Sequence, residues 1–338
     1  MPAALPRAAV RIVVVLFARN FGENATYGQA TRITGLHAKA FILLANDRLR
    51  PFRFSRHVPE IPRLLHSSNM KARRQSPPAA LTIAGSDSGG GAGIEADLRT
   101  FAAHGVHGLC AITAVTAQNT REVRAIEPMP PRTVRAQLDA VFADFAVGAV
   151  KIGMLATPAI VRTVAAALQR HPRVVVVLDP VLVATTGARL ARGDLAAPIR
   201  KHLLSRSDLV TPNIPEAESL LGRRIGTVDA MLGAATDLIG LGARAVLLKG
   251  GHLAGRRVSD LLVTRDGNAH WFHHARIAAE GHGTGCTLSS AIAARIARGE
   301  GLETAVGKSV DYVHRALAAG YRPGRGRLRV LRHDVPVH

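Results

Sequence analysis

The chain has 338 residues, 47% of them hydrophobic, and a formal net charge of +20. That size suits one large α/β domain or two smaller ones; two cysteines, Cys110 and Cys286, exclude a disulfide framework and point to a reducing, cytoplasmic setting. No apolar run reaches the roughly 20 residues of a membrane span, and the basic excess does not read as a nucleic-acid surface, because its arginines are scattered and no basic stripe interleaves with aromatics.

Residues 1–76 read as an N-terminal extension. The first 69 residues hold ten Lys or Arg and three Asp or Glu. Val10–Ala18 is a short apolar run flanked by Arg7, Arg11 and Arg19, without a clear cleavage site at signal-peptide distance. The remainder has no sustained period of two or 3.6, and its acid-poor composition also suits a transit peptide. The preferred expectation is that translation starts at Met70, or that this stretch is a disordered extension.

Residues 77–338 carry an alternating pattern. Ala79–Ala84 is a short apolar strand, and Gly85–Gly93 is a glycine-rich loop. A helix follows, with Ile94, Leu98, Phe101 and Ala102 on one face. Further strands are expected at Leu109–Val115, Val147–Ile152, Val174–Leu178, Leu209–Val210 and Ala245–Leu248. Helices are expected between them at Arg132–Asp144, Pro158–Gln169, Leu195–Ser205, Pro215–Leu221 and Val228–Leu241. Val174–Leu178 is apolar at every position, as in a strand buried on both faces. Asp266-Gly267 between apolar runs signals a hairpin within Leu261–Phe272, hence an antiparallel edge. Leu288, Ala291, Ile292 and Ile296 make the stripe of a helix entered through Gly281–Cys286, and Leu302, Val306, Val310, Val313 and Leu317 make another. The rhythm predicts a mainly parallel sheet with helices on both faces.

Ligands of such sheets sit at the strands' carboxyl ends. The loops expected there are 85–93, 116–120, 153–155, 179–186, 211–216, 249–252 and 281–286. A glycine turn feeding a helix N-terminus presents unpaired N–H groups and suits an anion. There Cys286 is expected to have a thiol pKa below its usual value of about 8.5.

Three weaker motifs are set aside. Gly91-Ala-Gly93 fits a dinucleotide fingerprint loosely, but no acidic residue ends the next strand to hold a ribose. Gly307-Lys308-Ser309 lacks the preceding strand and the spacing of a phosphate loop, and falls on a helical stripe. His270, His273 and His274 lie on an alternating strand and read as solvated edge residues; no Cys/His set has zinc spacing.

Seven motifs, in order, carry a resemblance. They are Ala84-Gly-Ser-Asp-Ser-Gly-Gly-Gly-Ala-Gly-Ile94, Thr116-Ala-Gln-Asn-Thr120, Lys151-Ile-Gly-Met-Leu155, Leu178-Asp-Pro-Val181, Thr211-Pro-Asn-Ile-Pro-Glu-Ala217, Lys249-Gly-Gly-His252 and His282-Gly-Thr-Gly-Cys-Thr-Leu288. Together they resemble the hydroxymethylpyrimidine/phosphomethylpyrimidine kinases of thiamin biosynthesis, of the ribokinase-like superfamily, over about residues 79 to 320. The sequence departs at Glu95, where the family usually has Gln, at Glu280-Gly281, and in the tail Gly324–Val330. The resemblance implies ATP, Mg²⁺, a small pyrimidine substrate phosphorylated twice, and a homodimer.

On this reading the backbone of Gly283, Thr284, Gly285 and Cys286 forms the anion hole, and Cys286 is the candidate base or positioner for the attacking hydroxyl. The Gln118 side-chain amide both donates and accepts, which suits an aminopyrimidine edge; the family has its pyrimidine contact at that position. Met154 can pack against a flat ring, or is plain core. Gly85 allows close approach at its loop. The resemblance puts Asp97 near the substrate hydroxymethyl group. Asn213-x-x-Glu216 is a capping-box pattern that, in the superfamily, also organises magnesium; Asp179 assists the metal. Lys249, one of only six lysines, can reach ATP phosphates as a point charge. Two alternatives stay open: a pyridoxal-type vitamin kinase, which the same anion hole serves, and a nucleic-acid-binding module suggested by charge.

Overall fold

The computed structural model describes residues 76–337 except 184–186, 188, 189 and 191. The expectation about residues 1–69 lies outside the described residues, as does part of the loop expected at 179–186.

The strands and helices alternate as follows: β1 (Ala79–Asp87), α1 (Gly93–Ala103), β2 (His107–Gln118), β3 (Val123–Pro128), α2 (Pro131–Asp144), β4 (Val147–Ile152), α3 (Pro158–Gln169), β5 (Val175–Leu178), α4 (Ala196–His202), β6 (Leu209–Val210), α5 (Ile214–Leu221), α6 (Asp229–Gly240), β7 (Ala245–Leu248), β8 (Arg257–Thr264), β9 (Ala269–Ala275), β10 (Gly281–His282), α7 (Thr284–Ala297), α8 (Leu302–Ala318) and β11 (Arg329–Val330). A nine-stranded sheet runs β3-β2-β1-β4-β5-β6-β7-β8-β9. The strands from β2 to β7 pair in parallel. Both ends turn antiparallel, through β3 on one side and the β8–β9 hairpin on the other.

Alternation along each central strand sorts its side chains between two layers. Leu81, Ile83, Val150, Ile152, Val176 and Leu178 face one core, shared with Val134, Leu138, Ile160, Val164 and Leu238 of α2, α3 and α6. Ala80, Ala149, Val177 and Leu209 face the other, shared with Phe101, Leu288, Ile292, Val306 and Val310 of α1, α7 and α8. Small strand residues on this second face let α7 lie close to the sheet: an added Cβ on Gly148 would stand only 3.3 Å from Ala297. Close packing of this kind holds the α7 N-terminus at the strands' carboxyl ends.

Two pairings differ from the sequence expectation. β3 is an antiparallel edge strand; its alternation is polar, with three of six residues exposed, so it gave no apolar signal. β10 and β11 form a small parallel sheet of their own, which ties the C-terminal segment to the entrance of α7. Helix α4 is also shorter than expected, because a 3₁₀ turn at Leu204–Arg206 takes over its end.

Candidate active site

The carboxyl ends of β5, β6 and β7 build a charged flank. Asp179 follows β5 and is 1% exposed. Lys249 follows β7 and places Nζ 2.8 Å from Asp179 Oδ1. The Thr211 hydroxyl stands 3.3 Å from the same oxygen. Asn213 forms a parallel bridge with Lys249 and opens α5 with a capping box: its Oδ1 accepts from the Glu216 amide at 2.9 Å, and Glu216 Oε2 accepts from the Asn213 amide at 2.8 Å. Such a cap is worth about 1 kcal/mol and fixes both side chains. Burial pushes the Glu216 carboxyl up to about 7; Lys249 opposes the rise and the Asp179 charge adds to it.

Helix α7 starts against this flank. Gly283 caps it at φ +82°, and a Cβ there would stand 2.0 Å from the Gly91 carbonyl oxygen. Only glycine permits both the left-handed turn and that approach. The amides of Thr284, Gly285 and Cys286 form the first turn, and among the described residues no acceptor takes them; the first bond back is Thr287 N–H to Gly283 O, at 2.9 Å. A Cβ on Gly285 would lie 3.1 Å from Lys249 Nζ and 3.4 Å from Asp179 Oδ2. Free amides, a helix end and an ammonium therefore converge on one place, the chemistry of an anion site.

The glycine-rich loop after β1 and the end of β2 build the other flank. Gly85 and Met154 face each other: a Cβ on Gly85 would stand 3.0 Å from the Met154 sulfur. Gln118 ends β2, half-buried, with its side-chain amide 3.1 Å from His282 Nε2. The two flanks meet where Gly283 packs against the Gly91 carbonyl.

Beneath Cys286 lies a fully buried ion pair. Lys151 Nζ stands 2.7 and 2.9 Å from the two Asp97 oxygens, with both side chains at 0% exposure. Thr82 donates to Asp97 at 2.6 Å and Ser290 at 2.7 Å. Burial opposes the Lys151 charge, but Asp97, Cys286 and Asp179 more than offset it and hold the ammonium above the ordinary lysine range. A Cβ on Gly153 would come within 2.8 Å of Lys151 Nζ, so that glycine makes room for the charge.

A family model described as phosphomethylpyrimidine kinase matches residues 87–331. The chain belongs to that family. A hydroxymethylpyrimidine/phosphomethylpyrimidine kinase of Rhizobium meliloti is 47% identical to this kinase over 260 residues, covering 77% of this chain and 96% of its own. One of the same name from Escherichia coli is 44% identical over 240 residues, covering 71% and 90%. Among solved structures, the fold is similar to an ADP complex of Bacillus subtilis pyridoxal kinase, with a TM-score of 0.70 at 32% identity over 76% of this chain and 98% of that one. It is also similar to phosphomethylpyrimidine kinase from Clostridium difficile, with a TM-score of 0.63 at 40% identity over 71% and 99%. The protein is a phosphotransferase with the ribokinase-like fold of these vitamin kinases.

The structure brings Cys286, Gly283, Thr284, Gly285, Lys249, Asp179, Asn213 and Glu216 to one edge of the sheet, and Gln118, Met154 and Gly85 to the neighbouring loops. One expectation is corrected. The Cys286 thiol is not lowered by the helix end: burial pushes it up to about 11, Lys151 opposes the rise, and the Asp97 and Asp179 carboxylates add to it. Asp97, expected near the substrate hydroxymethyl group, lies within electrostatic reach of Cys286 and is 0% exposed, with both oxygens bonded to Lys151, Thr82 and Ser290. It pairs with Lys151 under the site. Sequence reasoning gave no role to Lys151, Asp87 or His282. A lone lysine in the otherwise apolar Val147–Ile152 was a usable signal for the first, since a lysine there needs a buried partner.

Proposed function

We propose that this kinase transfers the γ-phosphoryl group of ATP to the hydroxymethyl group of 4-amino-5-hydroxymethyl-2-methylpyrimidine, and then phosphorylates the monophosphate to the diphosphate. The observation that carries the reading is the set of unclaimed amides at Thr284, Gly285 and Cys286 beside the Lys249 ammonium. The names of the curated relatives support the substrate, and the ADP complex of the pyridoxal kinase neighbour supports a nucleotide donor. The proposed setting is the cytoplasm, with small-molecule partners and a homodimer as the working form.

Phosphoryl transfer asks the protein for alignment and for positive charge around the moving group. The three amides and Lys249 supply the charge. Losing one preorganised donor typically costs about a hundredfold in rate. Gln118, Met154 and Gly85 hold the heterocycle so that its alcohol meets the α7 N-terminus. With its thiol near 11, Cys286 is protonated at neutral pH, so it positions the hydroxyl rather than serving as a standing base. A loose transition state needs little base help.

The donor set fits Mg²⁺. Among the described residues no group of three or more His, Cys, Asp or Glu could cage a metal ion, but Mg²⁺ keeps several waters and takes one or two carboxylates. Glu216 is buried, which pushes its carboxyl up to about 7 although Lys249 opposes the rise, so a further cation beside it would be favourable. It would hold the ion, and Asp179 would share its charge between the ion and Lys249. The ion would supply charge neutralisation on the ATP phosphates.

Likeness to pyridoxal kinases supports a second reading, a side activity on pyridoxal. One experiment tests both: mass spectrometry of full-length protein with MgATP and hydroxymethylpyrimidine, its monophosphate or pyridoxal. Mono- and diphosphate from the pyrimidines are expected; phosphate appearing on pyridoxal alone would overturn the first reading.

A further inference from the structure

His282 and Asp87 tie the two flanks together through a hydrogen-bond set that donor counting can resolve. Asp87 Oδ1 accepts the Gly89 amide at 2.8 Å. Oδ2 accepts the amides of Gly91 at 3.1 Å and Ala92 at 2.9 Å, and meets His282 Nε2 at 2.8 Å. Burial opposes the Asp87 charge, but the His282 hydrogen bond and the loop amides hold the carboxyl below its usual range. An ionised carboxylate only accepts, so Nε2 carries the hydrogen. Among the described residues, His282 Nδ1 is buried without a hydrogen-bond partner. A proton there would be an unpaired buried donor, which is costly; the lone pair belongs on Nδ1 and the proton on Nε2.

That assignment decides the orientation of Gln118. The Gln118 amide atom at 3.1 Å faces the same Nε2. The one Nε2 hydrogen lies mainly on Asp87 Oδ2 at 2.8 Å, and the Gln118 atom can only take the longer arm of a three-centre bond; an NH₂ group there would set donor against donor, so that atom is the carbonyl oxygen. The opposite amide atom lies 3.4 Å from Thr116 Oγ1. The single Thr116 hydroxyl hydrogen is taken by Ser86 O at 3.0 Å, so this hydroxyl accepts, and it faces the NH₂ group. Both contacts give the same orientation of the amide. Ser88 fixes the backbone at the same point: its Oγ donates to Gln118 O at 2.9 Å and accepts from Gln118 N at 2.8 Å.

We infer that His282 is a positioning residue for Gln118: its Nε2–H, seated on Asp87, holds the side-chain amide with the carbonyl toward the histidine and the NH₂ group outward. Gln118 then offers the substrate a hydrogen-bond donor, and the site selects heterocycles that present an acceptor ring nitrogen at that edge. The selectivity rests on the reading of Gln118 as a ring contact; the latch itself does not. The fit is close, since a Cβ on Gly91 would stand 2.3 Å from the His282 ring.

The test uses the full-length protein. In ¹⁵N-histidine spectra, the resonance lost in His282→Gln is assigned to His282, and it should read as protonated at Nε2 and bare at Nδ1. The reverse tautomer overturns the latch, whatever the enzyme's substrate; should His282→Gln not fold, His282→Asn supplies the assignment. His282→Ala should raise the KM for the pyrimidine alcohol about tenfold, the worth of one lost hydrogen bond, and change the KM for ATP less than twofold. His282→Gln, which keeps a donor at similar reach, should recover most of the loss. An equal rise in both KM values, or no recovery in the Gln variant, would mean that the residue is only structural. If the wild type turns over no pyrimidine alcohol, the substrate reading falls, and the spectrum still decides the latch.

Discussion

On one flank of the α7 N-terminus stand an ammonium, two carboxylates and an asparagine; on the other stand a thioether, a side-chain amide and a run of glycines. The charged flank is held by bonds between its own members: Lys249 on Asp179, and Asn213 on Glu216. The neutral flank is held through its backbone, with the loop amides on Asp87 and Ser88 on the Gln118 main chain, and its one amide side chain leans on His282 from the α7 entrance. The contrast follows from the chemistry each must meet. Phosphate groups bring fixed charge, which a preorganised charged site can answer. A neutral heterocycle brings shape and a few polar edges, which need an oriented amide and close backbone approach.

Breaking the junction between the flanks should have the largest effect. In Gly283→Ala the new Cβ meets the Gly91 oxygen at 2.0 Å, so the turn must open and its amides lose their aim. A fall in kcat on the order of a thousandfold is expected, read by coupled ADP release; a fall of less than tenfold would show that the amides are not the anion site. Next comes the buried base common to both flanks. Lys151→Met leaves Asp97 charged and unpaired at 0% exposure, and should cost about 3–5 kcal/mol by chemical denaturation. A loss below about 1 kcal/mol would place the pair in water.

The smallest effect is expected at Cys286. Cys286→Ala should lower kcat about tenfold, below the usual contribution of a general base. A loss above a thousandfold would restore the base role. The thiol itself sharpens the point. In a Cys110→Ser background, alkylation of Cys286 should keep accelerating with pH toward about 11, because burial favours the uncharged form. A midpoint near 8 would mean that the helix end governs the thiol after all.

The charged flank was readable from sequence because Lys249 and Asp179 sit directly after apolar strands, and Asn213 and Glu216 carry the spacing of a capping box. Lys249 follows Ala245–Leu248, and Asp179 follows Val175–Leu178. The neutral flank was readable at Gln118, Met154 and Gly85 only with the family's motif order. What stayed hidden depends on long-range geometry. Asp97 and Lys151 are 54 residues apart, and nothing local tells that their charges meet beneath α7. His282 and Asp87 are 195 apart, and β3 is too polar to announce itself as a strand. The Cys286 thiol was misjudged because a helix dipole is a local feature, while burial and the facing carboxylates come from the assembled fold.

The most direct test of the divided cleft is a crossed kinetic measurement on two full-length variants, with ATP and the pyrimidine alcohol varied in turn. Lys249→Met should lower kcat/KM for ATP about a hundredfold and leave the pyrimidine KM close to wild type. Gln118→Leu should raise the pyrimidine KM about tenfold and leave the ATP KM close to wild type. Variants that each move both constants by the same factor would contradict a cleft with one flank for phosphate and the other for the ring.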